Sequence, residues 1–151
     1  MKKIVGNSFG KILAINLQRG DLLLECIMEQ AKEEGIKFAI VMCGIGTLET
    51  VSFHRVKNTD AKPYDEYFTL KKPFELASLQ GLIIDGVPHL HFVISDLEKT
   101  YAAHLEPGTT VLYTAEILLA EIKGIDGLIR RKTSIGIPEF YMKKSDDHTI
   151  R

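Results

Sequence analysis

Residues 11–18 (KILAINLQ) carry Ile12, Leu13, Ile15 and Leu17 between polar positions, a near-alternation that predicts a strand ended by Gly20-Asp21. The pattern then changes period. Leu22, Leu23, Cys26, Ile27, Gln30 and Ala31 keep helical spacing up to Gly35, which suits a C′ position, and Asp21 is the expected N-cap with Glu25 in the first turn. One amphipathic helix of about three turns is predicted.

Two β-rich apolar runs follow in IKFAIVMCGIGTLETVSFHRV, and Gly44-Ile45-Gly46-Thr47 between them predicts two strands with a tight connection. Lys57 to Asp65 is polar, contains Pro63 and reads as a surface loop. EYFTLKK and FELASLQGLIID then read as strands, with Pro73 marking a break between them. Gly86-Val87-Pro88 is the expected turn before a strand from His89 to Ser95. After the turn at Glu106-Pro107-Gly108, the β-branched lead-in TTVLYT outweighs the helix-favouring AEILLAEI and predicts one long strand. Residues 130–151 are polar, with Ile135, Ile137, Pro138, Phe140, Tyr141 and Met142 as a docking segment and the last residues expected to be disordered. The whole predicts a single compact α/β (α+β) domain over 1–151, its core at about 10–123.

Composition narrows this picture. A chain of 151 residues buries most of its apolar surface without staples, and its two cysteines, Cys26 and Cys43, sit in apolar contexts that predict reduced core thiols. Gly6, Asn7, Gly10 and Lys11 interrupt any signal-peptide core, and no apolar run reaches the ~20 residues of a membrane helix, so a cytoplasmic protein without membrane contact is expected. The net charge of −1, with acids and bases interspersed, gives no general attraction to phosphate backbones. Any nucleic-acid contact must come from a local patch, for which Lys71-Lys72 and Arg130-Arg131-Lys132 are the candidates.

The candidate chemistry lies in Pro88-His89-Leu90-His91-Phe92. In a strand, residues two apart face the same side, so His89 and His91 project together while Leu90, Phe92 and Ile94 take the other face. His104, in Tyr101-Ala102-Ala103-His104-Leu105, returns beside them if one hairpin intervenes. Three imidazoles with an open fourth position suit a divalent metal, zinc first and nickel, cobalt or iron(II) next. The bland alternative is three histidines hydrogen-bonded at a sheet face or subunit contact. His54, beside Arg55 at a strand end, and His148, in the tail, carry no such pattern.

A cupin barrel also uses His-x-His, but the glutamate it needs a few residues later is Ser95 or Asp96 here, and Glu98 comes too late. Glu75 and Glu116 are the candidate acid/base or metal-supporting carboxylates, Glu116 because it interrupts an apolar run; Asp85 and Glu121 are further acids on the same strands. No Ser-His-Asp or Cys-His arrangement, P-loop or complete Gly-x-Gly-x-x-Gly motif occurs, since Gly44-Ile45-Gly46 lacks the third glycine.

The ordered succession Gly20-Asp21-Leu22, Gly35-Ile36, Gly44-Ile45-Gly46-Thr47-Leu48, Glu75-Leu76-Ala77-Ser78-Leu79-Gln80-Gly81, Pro88-His89-Leu90-His91, His104-Leu105 and Thr114-Ala115-Glu116-Ile117 resembles the plants-and-prokaryotes-conserved (PPC) domain. The resemblance spans roughly residues 10–123. It implies a mixed, mostly antiparallel sheet flanked by one main helix, assembled as a homotrimer, with metal-binding histidines in some stand-alone prokaryotic members at positions matching His89, His91 and His104. It also implies association with DNA, which in the plant members is held by an AT-hook. This sequence has no Arg-Gly-Arg-Pro hook, has Ala102-Ala103 where the family commonly has glycines, and has an entry to its first helix that is one residue short.

Three functional expectations follow. The first is a DNA-associated regulatory homotrimer with a three-histidine divalent-metal site. The second is a metal-dependent enzyme acting on a small molecule at His89/His91/His104. The third is an oligomerisation module whose histidines bridge subunits.

Overall fold

The sequence folds, in a computed structural model that describes residues 1–143, into β1 (Ser8–Gln18), α1 (Leu23–Glu33), β2 (Ala39–Val56), β3 (Asp65–Ile84), β4 (Val87–Ser95), β5 (Thr100–Leu105), β6 (Thr110–Lys123), β7 (Leu128–Lys132) and β8 (Pro138–Met142). Six strands form one sheet in the order β1-β6-β2-β3-β4-β5, antiparallel at every pairing, and β7 and β8 form a separate hairpin. The expected α+β domain, a largely antiparallel sheet with one helix, is what these residues build. His148 and the last tail residues lie outside the described residues.

Alternation decides which way each strand faces. Leu17, Val41, Ile83, Ile117 and Leu119 point inward and meet Leu23, Leu24, Ile27 and Ala31 of α1 in one core. The helix closes on Gly35 (φ +69°), with Gly35 N–H donating to Lys32 O and Ile36 N–H to Ala31 O, the two bonds of a Schellman cap. Its start differs from expectation. Leu22 occupies the N-cap without a side-chain bond, and Asp21 instead accepts from the Gln18 amide through Oδ2.

The two runs expected on either side of Gly44-Ile45-Gly46-Thr47 are one 18-residue strand. Those glycines serve close approach rather than a turn. A Cβ on Gly44 would come within 2.5 Å of Leu79 Cβ, and one on Gly46 (φ +151°) within 2.4 Å of Thr114 O. Pro73 likewise fails to break β3, because it sits where Leu48 pairs with Phe74 and Thr50 with Lys71, a bulge that spares its missing N–H from the ladder. The register also slips between Val41 and Cys43, which leaves Met42 and Cys43 both exposed. Cys43 is therefore an exposed thiol on the outer sheet face rather than a core residue, while Cys26 is half-buried and packs against the core.

The turn before the histidine strand is Asp85-Gly86, both at positive φ (51° and 73°), the Asp-Gly pairing of a two-residue hairpin. The strand accordingly starts at Val87, and Pro88 pairs with Ile83 inside it. The sheet then curls. β5 pairs with β4 on one side and with the far end of β2 on the other, so β2, β3, β4 and β5 close into a ring at that end. Aromatic side chains fill its interior: Phe53 meets Phe92 edge-on at 5.8 Å and stands 6.1 Å from Tyr101. The segment expected to dock is the β7–β8 hairpin, whose Leu128 and Phe140 pack with Phe38, Ile84 and Ile125 in a second small core.

Candidate metal centre

With Leu90, Phe92 and Ile94 buried in the ring, alternation turns His89 and His91 to its outer surface. His104 pairs directly opposite His91, and His54 pairs opposite His104. Three strands thus place four imidazoles on one patch. The histidines at 89, 91 and 104 offer nitrogen atoms within 4.8 Å of one another. The third arrives by the single hairpin its position in the sequence required.

The geometry suits a small divalent ion. His89 Nε2 and His91 Nε2 are 3.1 Å apart. Two imidazole nitrogens at zinc bonding distances of about 2.0–2.1 Å in a tetrahedral arrangement stand about 3.3 Å apart, so the pair needs little movement to share an ion. His104 Nδ1–H donates to Leu105 O at 2.9 Å, which leaves its Nε2 lone pair available as a ligand. Burial, then the neighbouring His54, lowers the His104 pKa to about 4. Burial lowers His91 as well, and burial with Arg130 nearby lowers His89. All three directions favour the neutral imidazole that binds metal.

His54, which its sequence context gave no credit, stacks on His104 with ring centres 4.3 Å apart. Its Nδ1–H donates to Glu106 Oε1 at 2.5 Å, and its Nε2 lies 3.9 Å from Asp65 Oδ2. Glu106 Oε1 is also 3.5 Å from His104 Nδ1, so His54, His104 and Glu106 form a second group of potential ligands adjoining the first. Glu106 and Asp65 are the carboxylates at this patch. Glu75 and Glu116 are both exposed elsewhere, Glu75 opposite Ser95 and Glu116 opposite Asn16 on the outer sheet face. No local pattern announces His54 or Glu106, because only the closing of β5 onto β2 brings them in.

His89 and His91, at one side of the patch, line a cleft of about 740 Å³ bounded by the β3–β4 surface, the β7–β8 hairpin and the N-terminal Met1 and Lys2. Arg130 of β7 is half-buried at its wall, with Nη1 donating to Val87 O at 3.0 Å. The other basic candidates are scattered. Lys72 is tied to Asp96, Arg131 lies over the Tyr141 ring at 4.7 Å, and Lys71 and Lys132 are exposed. Among the described residues no helix is long and apolar enough to cross a membrane.

The sequence profile of the Plants and Prokaryotes Conserved (PCC) domain matches residues 5–123, which take in the sheet, the helix and the histidine strands. The chain belongs to that family. A plant- and prokaryote-conserved protein of Pyrococcus horikoshii is 30% identical, with a TM-score of 0.76 over 94% of this chain and 99% of that one. The metal-containing protein AF0104 of Archaeoglobus fulgidus, 20% identical, superposes with a TM-score of 0.76 over 95% of this chain and 100% of that one. A protein of Bacteroides thetaiotaomicron named as a "putative DNA binding protein" is 16% identical, with a TM-score of 0.74 over 91% and 98%. These last two share the fold. The bifunctional protein GlmU of Synechococcus sp. (strain JA-3-3Ab) is 28% identical over 113 residues, 74% of this chain, and the match spans only 17% of that protein's length.

Proposed function

We propose that this protein binds one divalent metal ion, zinc first among candidates, through His89, His91 and His104. The observation that carries the reading is the convergence of His89 Nε2 and His91 Nε2 at 3.1 Å beside a His104 whose tautomer Leu105 O holds. Support also comes from the A. fulgidus neighbour, described as metal-containing. A bound ion there would supply Lewis acidity beside the cleft that His89 and His91 line. The cleft supports the enzyme reading, a metal-dependent reaction on a small molecule, with Glu106 rather than Glu75 or Glu116 as the carboxylate nearest the histidines.

Self-association as a homotrimer accompanies this reading. Ile12 and Ile45 are 65% and 46% exposed on the outer face of β1 and β2, an apolar surface that a second copy would cover. A cytoplasmic location remains part of the proposal.

The test is metal analysis of gently purified protein. Wild type is expected to carry about one ion per chain and His91→Ala much less; wild type without stoichiometric metal overturns the reading. DNA association is the second reading. It rests on the name of the B. thetaiotaomicron protein and on exposed Lys71, Arg131 and Lys132. A mobility shift at low salt decides it, and unshifted duplex DNA removes it.

A further inference from the structure

Among the described residues, the cleft beside the histidines carries a positive charge that nothing in it balances. Arg130 is half-buried there and burial lowers its pKa, yet a guanidinium this basic stays charged at every physiological pH. Among the described residues it has no carboxylate partner. Glu139, the acid lining the same cleft, is paired with Lys2. His89 and His91 add no charge when neutral. A half-buried cation is costly unless an anion compensates it.

The guanidinium is also held in place. Its Nη1 bond to Val87 O anchors it to the start of β4, two residues before His89, so Arg130 and the histidines share one rigid strand as reference. The remaining guanidinium N–H groups keep the planar fork that pairs with two oxygens of one anionic group. Leu82, cross-strand to His89, lies with Pro138 and Phe140 along the same cleft and gives it an apolar side. The volume of about 740 Å³ is that of a small-molecule site.

From this we infer that the cleft binds a small organic anion, a carboxylate or phosphate on a compact apolar body, with Arg130 as the anion-binding residue. The inference rests on the metal reading in that the anionic group would lie next to the ion held by His89, His91 and His104. It adds the class of ligand and the residue that selects it.

Benzoate and phenyl phosphate serve as probes of the two anion chemistries, titrated by calorimetry into the full chain after its metal content is measured. At least one is expected to bind wild type, with Arg130→Gln weakening it about 10- to 100-fold and Arg130→Lys recovering part of the loss. Metal content is expected to be the same in all three proteins, and a melting curve checks that the variants fold. Equal affinity in wild type and Arg130→Gln, or no binding of either probe to metal-loaded wild type, overturns the inference. If wild type holds no metal, the metal reading falls by itself. The same titration of the metal-free protein, followed by amide chemical shifts, then decides the role of Arg130: perturbations unchanged in Arg130→Gln overturn it.

Discussion

His104 makes the stability of the metal-free protein depend on pH. Its pKa falls from 6.5 to about 4 on folding, through burial first and the neighbouring His54 second. The group is depressed in the folded state, so its neutral form is the one the fold accommodates. Above pH 6.5 neither state binds the proton and the fold is unpenalised. Between 6.5 and about 4 the unfolded chain binds a proton that the native chain refuses, and stability falls with pH until the folded value is passed. At about 1.36 kcal/mol per pH unit the ceiling is roughly 3.4 kcal/mol, and solvent reaching the partly open ring cuts it to about 1–2 kcal/mol. Urea unfolding of the metal-free protein at pH 7, 6, 5 and 4.5 measures this. Wild type is expected to lose about 1–2 kcal/mol more than His104→Gln across that range, with His89 and His91 adding loss of the same sign to both. Parallel curves for the two proteins would refute the assigned cause.

Two further outcomes follow from the packing. Gly81 has φ +142°, and a Cβ there would lie 2.1 Å from His89 O, so Gly81→Ala must push β4 away from β3. Thermal melting is expected to show a loss of about 2–3 kcal/mol or more, together with reduced metal content; an unchanged midpoint would mean the backbones are not so close. For the proposed homotrimer, Ile45→Asp places a charge on the outer face and is expected to lower the mass seen by light scattering from three chains to one; a wild type that already scatters as one chain, or an unchanged mass in the variant, would refute this contact.

Much of the architecture was legible in local pattern. The alternation in residues 11–18, the helical spacing that ends at Gly35 and the β-branched lead-in to β6 each name their element correctly, because in these segments propensity and burial agree. The misreadings share a cause. Gly44, Gly46 and Pro73 are turn or breaker residues by local rules, yet they lie inside long strands, where neighbouring backbones need the space or a bulge excuses the missing donor. Asp21 is a good N-cap by type but is engaged by the Gln18 amide across the preceding turn.

The site divides in the same way. That His89 and His91 share a face was determined by the sequence alone, since a period of two needs only the strand. That His104 would join them required only a hairpin of the right length. Which histidine and which carboxylate complete the patch was decided by the tertiary structure, through the return of β5 to the end of β2, which stacks His54 on His104 and sets Glu106 against both. The turn of Arg130 into the cleft depends in the same way on where the β7–β8 hairpin docks. Local periodicity fixes the direction of a side chain relative to its own strand. Its distant neighbours depend on sheet curvature and closure, which the whole core sets together and no short segment encodes.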